Sequence, residues 1–395
     1  MSRYGEILRA PWVAALVGSA LFARLPIGIN ALAIVLYLRE QTGSFAIAGA
    51  VSGSLAAGSG IGAPVAGRLV DRLGPRRVLM PLAAIHAVAL GAIVALAELG
   101  APTVALLLCG FVAGFAIPPT SSVLRSQWTT LLEPRLHQAA YALDSTMIEL
   151  IFITGPLLTA AISTVASPAA ALIVSAIAVL TGTAIFTALP PTRAIATETP
   201  ERRSLLGALA SPGVRTLVYT SLPAGVGIGI LEVGIPAFSR EEGAAAAAGV
   251  LLAIWSVGSA IGGLLYGLLP RRGGLFRTHL FVGALLPITL LPLAAAPSVF
   301  VMGVLVLPAG CCIAPLLATR NELVGGVAPP GMRTEAYTWP ITAFVGGIAV
   351  GAALAGALVE GPGWRVAFLV AAAFAALGAL VAVVRRRTVI PAAAA

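Results

Sequence analysis

The sequence predicts an all-α integral membrane protein, with twelve transmembrane helices arranged as two parallel six-helix repeats around a central cavity. Three observations carry that expectation. The 395 residues are 59% hydrophobic and 10% charged, whereas soluble domains carry roughly 25% charged residues. The apolar residues come in uninterrupted stretches of about 20, the length that crosses a bilayer as a helix. The order of charged and small residues in the first half also returns in the second.

Taken in order, the apolar stretches give spans at residues 11–38, 45–66, 78–99, 102–124, 139–163, 168–190, 214–238, 244–269, 278–296, 298–319, 336–359 and 366–384. An even number of spans puts both termini on one side. Every one of the 24 basic residues is Arg, and twenty of them fall at the termini or in the even-numbered connections. Arg39, Arg240 and Arg365 lie on the opposite side, and Arg24 lies inside a span. Arginine bias of this kind orients membrane proteins, so a multi-pass protein of the cytoplasmic membrane with both termini in the cytoplasm is expected. The formal charge of +9 therefore reflects topology and does not indicate nucleic acid. Cys109, Cys311 and Cys312 lie in apolar runs with no His or acid close in sequence, which reads as packing and leaves no metal site and no cofactor. The first apolar run is too long for a cleavable signal and leads into further spans.

One polar stretch of length, 191–212, separates an N-terminal six-helix bundle (1–190) from a C-terminal one (213–395). Its prolines and its charged residues Glu198, Glu201, Arg202 and Arg203 read as a solvated cytoplasmic linker. The bundles echo each other. Leu38-Arg39-Glu40 returns as Ser239-Arg240-Glu241, and Ala113-Gly114-Phe115 returns as Ala309-Gly310-Cys311. Arg125, Arg135 and Tyr141 have counterparts in Arg320, Arg333 and Tyr337, at offsets between 195 and 201 residues. Copies in the same order on the same side of the membrane are parallel repeats, related by an axis along the membrane normal.

The stretch Gly67-Arg68-Leu69-Val70-Asp71-Arg72-Leu73-Gly74-Pro75-Arg76-Arg77 holds five charges in eleven residues between two spans. It cannot lie in hydrocarbon, so it reads as a tight charged turn. Asp71, an acid among four cations, should be paired or should meet a helix N-terminus. The pattern resembles the loop between helices 2 and 3 of the major facilitator superfamily. That resemblance implies alternating access by rocking of the halves, and a cytoplasmic gate. The gate residues expected from it and from span five are Gly67, Asp71, Arg72, Gly74, Arg76, Arg77, Arg125 and Asp144. In the family, the acid at position 71 touches the start of the eleventh span.

Substrate and coupling candidates are the polar or aromatic residues inside spans. Arg24 needs a partner or a cavity, with Pro26 kinking the helix beside it and Asn30 almost two turns on. Glu149 in span five, followed by Gly155-Pro156, can bind and release protons, and Arg24 is its expected counter-charge. Glu232 is the matching acid in span seven. Asp144 is expected to pair with Arg125 or with an arginine of the charged turn, and His86 reads as a packed neutral residue. Phe115, Trp255 and Trp339 can line an apolar cavity or pack in the ordinary way.

Drug–proton antiporters of the superfamily carry paired glycines after the Gly-Pro of span five, where this chain has Leu157-Leu158-Thr159-Ala160. The arginine they place before the glycines of span four is replaced by Leu106, Leu107 and Leu108, and the second copy of the charged turn, Gly267–Arg272, lacks the acid. The expected function is secondary active transport by a monomer, namely proton-coupled export of a small amphipathic or sugar-like molecule. Uptake by symport is the alternative, or a membrane sensor or scaffold without transport. The expected partners are the substrate, protons and the lipid bilayer. No nucleophile–base set, metal cluster or Walker loop is present in the sequence, so an enzyme or an ATP-driven pump is not expected.

Overall fold

The computed structural model describes residues 3–195, 206–244, 247–271 and 273–389. Among the described residues there are sixteen α-helices and no strand. A short α1 (Arg3–Arg9) precedes α2 (Val13–Thr42), α3 (Phe45–Leu73), α4 (Pro75–Glu98), α5 (Thr103–Phe115), α6 (Thr120–Leu131), α7 (Pro134–Val165) and α8 (Pro168–Ala188). After the single turn α9 (Pro190–Arg193) come α10 (Pro212–Glu241), α11 (Ala247–Leu268), α12 (Leu275–Leu290), α13 (Val299–Cys311), α14 (Ile313–Val327), α15 (Arg333–Glu360) and α16 (Trp364–Val384). They form twelve candidate spans, with α5–α6 and α13–α14 each making one.

The helix starts follow local chemistry. Pro75, Pro134, Pro168 and Pro212 open α4, α7, α8 and α10, where a missing N–H costs nothing and φ is already helical. The hydroxyls of Ser44, Ser167, Ser211 and Ser298 accept the backbone N–H three residues on, satisfying donors that the helix leaves orphaned. Span four breaks at Ala116–Pro119 because Pro118 and Pro119 remove two donors and constrain the residues before them.

The expected charged turn is not a loop. α3 continues through Gly67, Arg68, Asp71 and Arg72 to Leu73, and α4 begins at Pro75. Gly74 alone makes the reversal, at φ 84°, a value that strongly favours glycine. Several other helices also outrun their apolar stretches, since backbone pairing continues after hydrocarbon ends. Of the expected linker, residues 196–205 lie outside the described residues, as does Arg272.

Within the first half α2 packs against α7 and α8, and α3 against α5. In the second half α10 packs against α15 and α16. Lipid gives helices no hydrophobic reason to associate, so close approach between small residues supplies the attraction. At the α2–α7 crossing, a Cβ built on Gly155 would stand 2.5 Å from the Gly28 backbone. Large side chains such as Val88 and Phe300 point outward, 72% and 80% exposed, as a lipid-facing surface requires.

The halves meet along α3–α15 and along α7–α11. The twofold relation of the repeats maps the second span onto the eighth and the eleventh onto the fifth, so these are one contact made twice. A hydrophobic core that includes Ile7, Val70, Tyr141, Ala318 and Tyr337 joins the halves at the end where the arginines collect, and each half holds another core of its own.

Gly155→Val places a branched side chain into the Gly28 backbone. The expected cost is that of overpacking, about 1–3 kcal/mol. Thermal unfolding of the purified variant in detergent should show a lower midpoint, and an unchanged midpoint would show that the crossing is looser than described.

Candidate functional site

At the arginine-rich end, Asp71 caps a helix of the opposite half. Its carboxylate accepts the N–H groups of Thr334 and Glu335, at 3.0 and 2.8 Å, in the first turn of α15. Those donors are unsatisfied within the helix, and the helix dipole favours negative charge there. One turn earlier on the same face of α3, Arg68 forks onto Glu335, with Nη2 at 2.7 Å from Oε1 and Nε at 3.2 Å from Oε2. Gly67 permits the approach, because a Cβ there would lie 3.0 Å from Glu335 Cα and from Thr338 Cγ2. Trp339 donates its indole N–H to the same Glu335 at 3.3 Å. Arg72, Arg76 and Arg77 are exposed, clear of this junction.

More bonds cross between the halves at this end. Tyr141 and Tyr337 share a hydroxyl hydrogen bond of 2.6 Å. Gln138 donates to the carbonyls of Tyr266 and Leu269, Tyr4 donates to Leu264, and Arg333 donates to Thr129. Deeper in, Thr342 donates to the Gly60 carbonyl. Among the described residues, no hydrogen bond joins the halves at the opposite end. Among the described residues, hydrogen bonds thus close the halves together at the arginine-rich end and not at the opposite one.

Asp144 pairs with Arg125 as the sequence predicts, but the other buried charges group differently. Arg24 does not pair with Glu149. Its Nη1 lies 2.7 Å from Asp144 Oδ1, and Arg125 Nε takes the other oxygen, Oδ2. All three side chains are enclosed, so one carboxylate on α7 holds guanidinium groups from α2 and α6. The reason is angular. Five residues along an α-helix turn it by about 500°, so Asp144 and Glu149 point some 140° apart. Asp144 faces α2, whereas Glu149 faces the second half and lies against Ser259 of α11. Glu149 is 9% exposed.

The remaining candidates scatter. Asn30 sits inside the first half, accepting from Ser175 Oγ at 2.5 Å and meeting His86 Nε2 at 3.1 Å. His86 Nδ1 lies 2.6 Å from the Ala113 carbonyl, so Nδ1 carries the proton and Nε2 accepts from the Asn30 amide. This polar chain is closed and leaves nothing for a ligand. Phe115 packs α5 onto α3 beside Gly58 and Gly62, and Trp255 packs α11 onto α13 at Gly310. Glu232 is exposed on α10.

Sequence reasoning passed over Arg68, Glu335 and Ser259, and it noted Tyr141 and Tyr337 only as repeat counterparts. The tyrosines carried a usable signal, because equivalent residues near a twofold axis can meet on it. The spacing of Arg68 and Asp71, three apart on one helical face, was a second signal.

Asp144→Asn removes the single acid between two buried cations. Breaking such a pair costs about 3–5 kcal/mol, so yield and unfolding midpoint should both fall sharply. A variant as stable as the parent would mean that water reaches Arg24 and Arg125.

Comparisons with known proteins bear on the family and the fold. The sequence matches the profile of the Major Facilitator Superfamily over residues 16–339 and again over 245–394. No curated protein matches it significantly. Among solved structures it is similar to a bacterial homologue of the iron transporter ferroportin in the outward-facing state, with TM-score 0.78 at 15% identity over 95% of this chain and 99% of that one. It is also similar to the Escherichia coli fucose:proton symporter, with TM-score 0.75 at 14% identity over 96% and 99% of the two chains. The human organic anion transporter MFSD10 gives TM-score 0.70 at 17% identity over 93% and 98%. With a family match spanning nearly its full length and twelve membrane-crossing helices in two repeats, this chain belongs to the Major Facilitator Superfamily and is a transporter, not an enzyme.

Proposed function

We propose that this transporter exports a small amphipathic or sugar-like molecule in exchange for protons, from a cytoplasmic membrane in which both termini face the cytoplasm. The orientation rests on the arginine asymmetry. It makes the closed end cytoplasmic and the present state outward-facing, with Asp71, Arg68, Glu335 and Gly67 as the closed gate.

The observation that carries the coupling reading is the position of Glu149. It is a buried acid with no cation beside it among the described residues, set against Ser259 across the α7–α11 contact. Rocking of the halves must open or remake that contact, so the environment of the carboxyl changes with state. A carboxyl moved between enclosed and wetted surroundings exchanges protons with them. Arg24 plays no direct part, since Asp144 already holds it.

Glu149→Gln keeps shape and hydrogen bonding but cannot carry a proton. In a proteoliposome counterflow screen of sugar-like and amphipathic compounds, the variant should exchange the substrate as the parent does. It should not drive accumulation under an imposed pH gradient. Wild-type accumulation by that variant would move the coupling role elsewhere, with Glu232 the next candidate, and the sign of the gradient that drives accumulation distinguishes export from uptake.

Asp71→Asn retains volume and loses charge at the α15 N-terminus. A charge there contributes about 0.3–1 kcal/mol when exposed and up to about 2 kcal/mol when half-buried, enough to shift a two-state balance severalfold. Turnover should fall severalfold at normal expression and normal unfolding midpoint. Turnover equal to the parent's would remove Asp71 from the gate.

A further inference from the structure

The repeats share one buried arginine but neutralise it differently. Arg125 in α6 and Arg320 in α14 are counterparts, and each is enclosed, 4% and 5% exposed. Arg125 has Asp144. By the offset that relates Tyr141 to Tyr337, the position matching Asp144 in the second half is Pro340. The second repeat has kept the arginine and lost the acid.

Among the described residues nothing replaces it. Arg320 Nε and Nη2 reach only the neutral Asn321 Oδ1, at 3.4 and 3.2 Å. Its Nη1 is buried with no hydrogen-bond partner. The Phe344 ring lies 5.6 Å away, a weak compensation. The charged group that bears on it is a second cation, Arg125, and both oxygens of Asp144 are already taken. A guanidinium left this way in a membrane-embedded bundle is expensive unless a counter-charge comes from outside the chain.

The space for one exists. Arg320 lines a cavity inside the second half, enclosed by α10, α12, α14, α15 and α16, with Ser221, Thr220 and His279 as its other polar walls. It offers about 30 Å³ to the centres of water-sized molecules, where roughly 10–15 Å³ admits one water. Thr220 and Ser221 both donate to the Leu217 carbonyl, at 3.0 and 2.6 Å. One of the two hydroxyls can therefore turn toward the cavity without orphaning that carbonyl. The rest of the wall is aliphatic, including Leu286, Leu316 and Ala379, and that selects against strongly hydrated multivalent ions.

We propose that this cavity is a binding site for one small monovalent anion, which takes the place of the missing carboxylate beside Arg320. The volume fits a halide or the head of a small carboxylate, and the single cation balances one negative charge. The inference does not depend on export, on proton coupling or on Glu149.

The test uses the purified full-length protein in detergent. Sodium gluconate is replaced stepwise at constant ionic strength by chloride, by bromide or by acetate, and the unfolding midpoint is followed. Binding to the folded state alone raises the midpoint with a logarithmic dependence on the anion above its Kd. A rise of several degrees is expected for the parent, and no rise for Arg320→Gln. A response to halide identifies a free ion, whereas a response to acetate alone identifies a carboxylate head. Arg320→Lys keeps a charge with a shorter, less branched head and should respond with at least tenfold weaker affinity, which keeps the test open if Arg320→Gln does not fold. Equal midpoints of the parent in all four salts would overturn the proposal. So would a response that persists unchanged in either variant.

Discussion

A guanidinium enclosed in a membrane bundle has to find negative charge, and in this protein one carboxylate, Asp144, serves two. Arg24 from α2 and Arg125 from α6 converge on it from either side, which binds the first, fourth and fifth spans at a single buried point. Both oxygens are used, and two consequences follow. Arg320, which approaches from the other repeat, finds no acid among the described residues. Glu149, one and a half turns away on α7, meets no cation among the described residues and faces the other half of the molecule.

The tie between the halves is asymmetric because the repeats differ in their charged motifs. The contact α3–α15 is closed by charge, through Asp71 on the α15 N-terminus and Arg68 on Glu335. Its counterpart α7–α11 is closed by neutral donors onto backbone carbonyls, from Gln138 and from Tyr4 of the short first helix. The second copy of the charged motif explains the difference. It has no acid to reach across, and its Arg271 pairs instead with Glu322 of its own half, at 2.9 Å. One side of the closed end is thus sensitive to charge and the other to shape.

The fold was legible because hydrocarbon imposes a length and a composition on every spanning helix. Twelve spans and their pairing into repeats follow from that. Helix ends were not legible to the same degree, since α3 and α14 run on into polar sequence where hydropathy carries no signal. The Asp71 contact was anticipated from the family pattern of its motif, and its partner Glu335 lay beyond the apolar stretch that defined the eleventh span. The Arg24 pairing was missed for a different reason. Asp144 and Glu149 are both acids on one helix, and sequence spacing gives the angle between them without saying which face meets α2. Asn30 read as a substrate candidate because it is a polar residue inside a span, yet Ser175 and His86 satisfy it inside the first half.

The central claim is that the halves are joined at the arginine-rich end and separated at the other. Double electron–electron resonance tests it directly, with spin labels placed in pairs on an otherwise cysteine-free protein. One pair at Thr130 and Gly326 reports the arginine-rich end, and another at Ser44 and Glu242 reports the opposite end. The account predicts a short, narrow distance distribution for the first pair and a longer, broader one for the second, in the absence of substrate. A long distance at Thr130–Gly326 with a short one at Ser44–Glu242 would contradict it.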